Sequence, residues 1–104
     1  MKVYIAGPMS NMPDLNYPAF HAAAAELRAA GHEVENPAEN PPPACGSWRA
    51  YMRMAVRQVS TVDVLVMLPG WEQSRGARVE FNLAVGLGLE VTTLADLKER
   101  NRKK

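Results

Sequence analysis

The segment 63–84 constrains the fold of this chain more than any other part of the sequence. It begins with a short unbroken apolar run, residues 64–68, of the kind that a strand buried on both faces requires. A Pro-Gly pair stops that strand, and Ser74 is a suitable N-cap for a helix that starts near Arg75. A strand, a turn and a helix in this order predict one βα unit of a parallel sheet.

The helix predicted from Arg75 onward has two apolar stripes, and Glu80 falls between them. The first stripe consists of Ala77, Phe81, Ala84 and Val85, and the second of Val79, Leu83 and Leu87. A carboxylate flanked by apolar side chains loses hydration and needs a partner. Most single acids on helices are solvated, but one placed between apolar stripes after a strand and a turn is a candidate for chemistry.

The rest of the chain repeats the strand–helix pattern. Strands are predicted at residues 3–6, 32–36, 64–68 and 89–94, and helices at 17–30, 48–59, 75–87 and from 95 onward. The proline-rich segment 37–46 is predicted to be an irregular surface loop. The pattern predicts an α/β protein with a four- or five-stranded parallel sheet and helices on both faces. Residues 3–6 and 64–68, the most apolar runs, are expected side by side in its middle.

In an open parallel sheet, ligands bind in a crevice at the carboxyl ends of the strands. Two loops, 7–16 and 69–76, should meet at that crevice. The first lacks the three-glycine pattern of a dinucleotide fingerprint, and no Gly-Lys-Ser/Thr phosphate loop occurs in the chain. A conventional Rossmann dehydrogenase or a phosphate-loop NTPase is therefore disfavoured.

Composition bounds the classes of partner and compartment. The 104 residues predict a single domain, 1–104, and the net charge of +1 gives no reason to expect nucleic acid or a membrane as partner. Cys45 is the single cysteine, and His21 and His32 are not spaced as a metal pair, so neither a metal nor another cofactor is expected. No signal peptide and no bilayer-length apolar run are visible, which predicts a cytoplasmic protein.

Two motifs together resemble the nucleoside 2-deoxyribosyltransferase superfamily. They are Tyr4-Ile5-Ala6-Gly7-Pro8 at the first strand and Ser74-Arg75-Gly76-Ala77-Arg78-Val79-Glu80 at the central helix. The similarity covers nearly the whole chain and is closest to a small bacterial and phage branch, whose Leu-Pro-Gly-Trp-Glu segment is residues 68–72 here. It implies a flavodoxin-like, Rossmann-like three-layer sandwich that cleaves the N-glycosidic bond of 2-deoxynucleosides or their 5′-monophosphates, by transfer to another base or to water.

The resemblance also implies roles for particular residues. Glu80 matches the nucleophile that attacks the anomeric carbon, and the chemistry agrees, because a carboxylate stabilises and then traps an oxocarbenium-like centre. Tyr4 matches the tyrosine that orients this glutamate, although a strand tyrosine that merely packs in the core fits the sequence equally well. The implied substrate-binding residues are Gly7, Pro8, Met9 and Ser10 in the first loop and Trp71, Ser74, Arg75 and Gly76 around the second.

Ser74 bears on the class of substrate. Free-nucleoside transferases of the superfamily tend to carry an acid at this position, whereas the monophosphate hydrolases carry a serine that holds the 5′-phosphate with the glycine backbone. Serine beside Arg75 at a helix N-terminus suits an anion, because N–H groups and the helix dipole point toward it. A phosphorylated substrate is therefore favoured, while a simple capping role for Ser74 stays open.

The chain departs from the superfamily pattern at the residue that protonates the leaving base. The usual aspartate lies eight residues before Asp63, where this chain has Ala55. Asp14 and Glu72 are the candidate substitutes, and Asp63 itself is expected to be structural. An alternative is therefore a nucleotide-binding or sugar-phosphate-binding module with little or no activity, and a third hypothesis is a protein-interaction domain.

A homo-oligomer is also expected, most simply a dimer built on helix 75–87. The two apolar stripes cover well over half of its circumference, whereas packing on one sheet needs a face of about 100°. The superfamily resemblance implies pairing near the same helix.

Overall fold

The computed structural model describes residues 1–41 and 46–102, and it contains four strands and four helices in strict alternation. In chain order they are β1 Lys2–Ala6, α1 Tyr17–Ala29, β2 Glu33–Glu35, α2 Trp48–Val59, β3 Val64–Met67, α3 Arg75–Leu87, β4 Glu90–Thr93 and α4 Leu94–Arg102. No helix in the described ranges is both long enough and apolar enough to cross a bilayer.

All four strands are parallel and their order is β2-β1-β3-β4. β1 and β3 are adjacent in the middle, with Val3 opposite Val64 and Ala6 opposite Met67. The predicted central pair is thus confirmed. The more polar β2 lies at an edge, as its composition predicts, because an edge strand need not be buried on both faces.

Alternation along β1 divides the core into two layers. Val3 and Ile5 pack with α1 and α4, whereas Tyr4 and Ala6 pack with α2 and α3. The sheet therefore lies between two helix pairs in a three-layer sandwich, as predicted. Tyr4, which is 1% exposed, consequently points into the layer that contains α3.

The helices that follow β2 and β3 begin with the same device. Ser47 Oγ accepts a hydrogen bond from Ala50 N at 3.1 Å, and Ser74 Oγ accepts one from Ala77 N at 3.2 Å. Ser74 was predicted as an N-cap and that cap is confirmed, and Ser47 caps α2 in the same way.

The segment after β2 is more regular than its prolines predict. Pro37–Glu39 forms one turn of 3-10 helix, capped by the Asn36 side chain, which accepts a hydrogen bond from Ala38 N at 3.0 Å. The expectation of an irregular loop is wrong here, because a proline at the first position of such a turn has no N–H to satisfy. Cys45 lies outside the described residues.

Candidate active site

A cavity of about 180 Å³ lies where β1 and β3 end and α2 and α3 begin. This is the topological switch point of the sheet, since the chain leaves β1 toward one edge and β3 toward the other. Seven of the ten predicted site residues line it: Tyr4, Gly7, Met9, Ser10, Ser74, Gly76 and Glu80. The loops after the two central strands therefore meet as expected.

Glu80 and Tyr4 form a hydrogen-bonded pair at the base of the cavity. The Tyr4 hydroxyl donates to Glu80 Oε2, and the two residues are 1% and 6% exposed respectively. Glu80 is inside because α3 packs its Ala77–Ala84 side on the sheet and Glu80 lies on that side. The partner that a desolvated carboxylate needs is therefore supplied by the neighbouring central strand.

Burial sets the protonation of this pair. Loss of hydration raises the pKa of Glu80 to about 7, while the hydrogen bond from Tyr4 acts in the opposite direction. Burial, followed by the negative charge of Glu80, raises the pKa of Tyr4 well above its usual value. Tyr4 therefore keeps its proton and remains the donor, and the pKa of Glu80 lies close to neutral pH, where both its neutral and its ionised forms occur. Such a carboxylate is available as a nucleophile or a base.

The first turn of α3 forms the second polar wall of the cavity. Ser74 and Gly76 both line it, and the Ser74 hydroxyl, which accepts from Ala77 N, still has its own proton to donate. Gly76 faces α2 closely, because a Cβ there would lie 3.3 Å from Met52 Sδ. The glycine lets the two helix N-termini converge on the cavity.

Gly7 has a steric reason to be glycine. A Cβ at this position would lie 2.8 Å from Leu68 Cβ, which is closer than real side chains approach. The chain then turns over the cavity through residues with left-handed φ angles, Asp14, Leu15 and Asn16, and Asn16 Nδ2 ties the turn to Pro8 O at 2.9 Å. The first loop is thereby held against the end of β3.

Three of the predicted substrate-binding residues do not line the cavity. Trp71 stacks on Phe81 with ring centroids 4.9 Å apart and lines a separate depression near α4. The Arg75 guanidinium lies 3.9 Å from the centroid of the Trp48 ring. Pro8 contributes its carbonyl to the loop turn. Substrate contacts by Pro8, Trp71 and Arg75 therefore have no support from the cavity geometry.

No second described acid lines the cavity beside Glu80. Among residues 1–41 and 46–102, Glu80 is the one carboxylate that lines the cavity, and Ala55 lines it at the position of the usual acid. Asp14 and Glu72 are outside its wall, and Asp63 accepts from Lys2 N at 3.2 Å in a structural role. The Tyr4–Glu80 pair is the feature expected of an enzyme, while the lack of a second acid among the lining residues is the feature expected of a binding module.

The wall contributed by α2 and by the segment after β2 was not predicted as part of a site. It consists of Pro37, Asn40, Trp48, Tyr51, Met52 and Ala55. The apolar residues of α2 recur at helical spacing, which predicts a buried face, yet Trp48 and Tyr51 are 40% and 39% exposed. A core face that carries two aromatic residues in its first turn is a signal that the face extends past the sheet into a ligand site.

Charge is distributed unevenly around this cavity. Four cations elsewhere, Lys2, Arg28, Lys98 and Arg100, each pair with a carboxylate. Five exposed arginines on α2 and α3 form no ion pair with any described residue: Arg49, Arg53, Arg57, Arg75 and Arg78. The single acid on these two helices is the buried Glu80. The outer surface of α2 and α3, called the arginine face below, is therefore strongly basic.

No three His, Cys, Asp or Glu side chains within the described ranges are grouped so that they could share a metal ion.

The sheet order 2-1-3-4 and the cavity at its switch point define a flavodoxin-like α/β protein. Within that class the chain belongs to the DUF4406 family, a domain of unknown function, whose model matches residues 1–93.

Among solved structures, a 2-deoxyribosyltransferase from Leishmania mexicana has a similar fold, with a TM-score of 0.69 and 19% sequence identity. The match covers 88% of this chain and 62% of that one, so this chain spans less than two thirds of the transferase's length. The resemblance to the nucleoside 2-deoxyribosyltransferase superfamily is thereby confirmed at the level of the fold. No curated protein matches by sequence.

Proposed function

We propose that this protein cleaves the N-glycosidic bond of 2-deoxynucleosides, with a preference for their 5′-monophosphates, and that Glu80 is the nucleophile. The observation that carries the proposal is the buried Glu80 carboxylate, held by the Tyr4 hydroxyl at the bottom of a cavity on the sheet's switch point. Burial of a carboxylate is costly even when one hydrogen bond holds it, so its retention in a cavity favours a chemical role.

The proposed reaction has two steps on one carboxylate. Ionised Glu80 attacks the anomeric carbon, the carbon–nitrogen bond breaks, and the base leaves with the bonding electron pair. Water, which loses a proton to solvent, or a second base then attacks the same carbon, and the bond from that carbon to Glu80 breaks so that the carboxylate is released. Tyr4 holds the carboxylate in line for both steps. The departing base takes its proton from solvent, because Ala55 has none to give.

The preference for a monophosphate rests on the first turn of α3. Ser74 and Gly76 of this turn line the cavity, and a helix N-terminus favours an anion. Glu80 lies six residues further along the same helix, about 9 Å at 1.5 Å per residue. A phosphate at the helix N-terminus and a sugar carbon at Glu80 are therefore compatible with one bound nucleotide.

The test is incubation with a panel of 2-deoxynucleosides and their 5′-monophosphates, with free base measured by chromatography. Parallel reactions with and without a second free base separate transfer from hydrolysis. We expect base release from at least one monophosphate and none from the Glu80→Ala variant. Nucleotide binding without any base release would favour the binding module, and release that survives Glu80→Ala would contradict the proposed nucleophile.

A further inference from the structure

Asn40 is the polar side chain on the cavity wall that follows β2, and its amide is held by a second amide behind it. Asn40 Nδ2 donates to Gln58 Oε1 at 2.8 Å, and Gln58 Nε2 donates back to Asn40 Oδ1 at 2.9 Å. Gln58 Nε2 also donates to Glu35 Oε1 at 3.2 Å. Three side chains from three separate segments thus form one hydrogen-bonded chain that ends at the cavity.

The acid at the far end of this chain determines its direction. A carboxylate accepts hydrogen bonds and donates none, so Gln58 must turn its NH₂ group toward Glu35. The same NH₂ group also donates to Asn40, so the acceptor on Asn40 must be its carbonyl oxygen. A reciprocal amide pair without Glu35 would be satisfied equally well with both amides reversed.

The backbone around Asn40 leaves the amide orientation as the remaining variable. Asn40 N donates to Pro37 O at 3.2 Å, and Arg28 holds the preceding Glu39 through two hydrogen bonds of 2.8 Å. The position of Glu35 is also fixed, because this residue lies opposite Tyr4 in the β1–β2 register. The backbone of the turn and of the strand is thus fixed. Glu35 then fixes the orientation in which the turn presents the Asn40 amide to the cavity.

We propose that Glu35, acting through Gln58, fixes the hydrogen-bond polarity that Asn40 presents to the base of a bound nucleotide, and thereby selects between bases that carry an amino group and bases that carry a carbonyl. This rests on the proposed function, since it names the determinant of base choice in the same site. Glu35 is a positioning residue in this scheme, and Asn40 is the residue that touches the ligand.

The chemistry of the amide explains why one polarity results. Its pairing with Gln58 uses one N–H and one lone pair of Asn40, leaving a second N–H and a second lone pair. These two lie on opposite edges of the planar group, so one of them at a time can face the cavity. The Asn40 amide cannot turn around while Glu35 is in place. Asn40 therefore presents the same group to the cavity in every molecule, either the N–H donor or the oxygen acceptor.

The experiment measures binding of two nucleotide pairs by calorimetry. The pairs are the 2′-deoxy 5′-monophosphates of adenosine and inosine and those of cytidine and uridine, which exchange an amino group for a carbonyl. We expect the wild type to separate at least one pair by about three- to tenfold, the range of one net hydrogen bond. Glu35→Gln should bring that affinity ratio close to one, because a glutamine at position 35 can form a hydrogen bond with Gln58 in either orientation of the Gln58 amide.

Matched variants separate positioning from damage. Glu33→Gln makes the same change on the same strand, at a residue that pairs with Lys2 away from the cavity, and should leave the ratio unchanged. Asn40→Ala should also abolish the discrimination, and adding Glu35→Gln to it should have no further effect. Thermal unfolding of each variant verifies that the fold is intact.

Two outcomes would overturn the inference in distinguishable ways. If nucleotides bind and the ratio is the same in wild type and Glu35→Gln, Glu35 does not set base choice, and the proposed function is untouched. If no nucleotide binds at all, the proposed function fails and this inference fails with it.

Discussion

The Tyr4 hydroxyl on β1 donates a hydrogen bond to Glu80 Oε2 on α3, joining two residues that lie 76 positions apart in the chain. Both are buried, and no other described carboxylate lines the cavity between them and solvent. The protonation of Glu80 is therefore tied to the packing of α3 on the sheet, and both stability and chemistry should report it.

Stability should depend on pH through Glu80. Its pKa in the folded protein is about 7, above the ordinary 4.5, so the stability associated with its neutral form is complete below pH 4.5 and is lost as the pH rises through 7. Glu80→Gln stays neutral and should exceed the wild type by about 3 kcal/mol at pH 8, with little difference at pH 4. Urea unfolding at the two pH values measures this. Glu72→Gln, at an exposed acid, serves as control, and a pH-independent gap would contradict the prediction.

Tyr4→Phe should slow base release through the ionisation of Glu80. The lost hydrogen bond lowers the pKa of Glu80 in the wild type, so its removal should move the midpoint of the pH–rate profile up from about 7 by about one to two pH units. At high pH most of the rate should return, whereas Glu80→Ala should be inactive at every pH while still binding nucleotide. Steady-state kcat/KM across pH provides the measurement. An unshifted midpoint would show that Tyr4 only packs.

Ala55→Asp should accelerate base release. Ala55 lines the cavity, so a carboxyl there would face the leaving base and supply the missing proton, which is worth on the order of 10²–10⁴-fold. Ala50→Asp makes the same change on the same helix away from the cavity and should leave the rate as it is. Because the wild type has no acid at position 55, it should release base slowly. No gain from Ala55→Asp in a folded variant would mean that protonation does not limit the reaction.

Ser74→Ala should weaken the binding of a 5′-monophosphate and leave the affinity for the free nucleoside unchanged. The variant loses a helix cap, worth about 1 kcal/mol of stability, and also a hydrogen bond to phosphate, worth about 10-fold or more in affinity. Ser47→Ala loses the equivalent cap on α2, so it should show a similar fall in stability with no change in affinity. Calorimetry with both ligands checks this, and equal affinities of wild type for nucleoside and monophosphate would refute the phosphate site.

A homodimer through α3 remains a prediction that the exposed side chains of this helix support. Val79, Val85 and Leu87 are 39%, 57% and 51% exposed, which is unusual for three aliphatic residues on one helix. Leu87→Glu should shift the protein from dimer to monomer in sedimentation velocity, and Ala29→Glu on the exposed side of α1 should not. A wild type that is monomeric at high concentration would contradict the prediction.

The sequence predicts the parts of the site that depend on local pattern. The adjacent central strands follow from their apolar runs, and the caps at Ser47 and Ser74 follow from the residue types that precede helical periodicity. The burial of Glu80 follows from its position between apolar stripes. In each case the cause lies within one turn or one strand.

The parts that were missed depend on contacts between distant segments. The chain from Glu35 through Gln58 to Asn40 has no periodicity, because its hydrogen bonds join side chains 23 and 18 positions apart. Trp71 was placed near substrate by its motif, but its ring finds Phe81 on the next helix instead. The packing of the layers determines which distant side chains come into contact, and a local sequence pattern does not predict these contacts.

The arginine face concentrates positive charge on one part of this nearly neutral molecule. Ten of its eleven acidic residues lie outside α2 and α3, whereas five arginines that pair with no described carboxylate lie on them. The positive charge of this face attracts anions to that side of the protein, and Arg75 on the Trp48 ring places positive charge beside the cavity. An approaching anion is thus attracted to this side before any contact forms, over a distance set by the ionic atmosphere of about 10 Å.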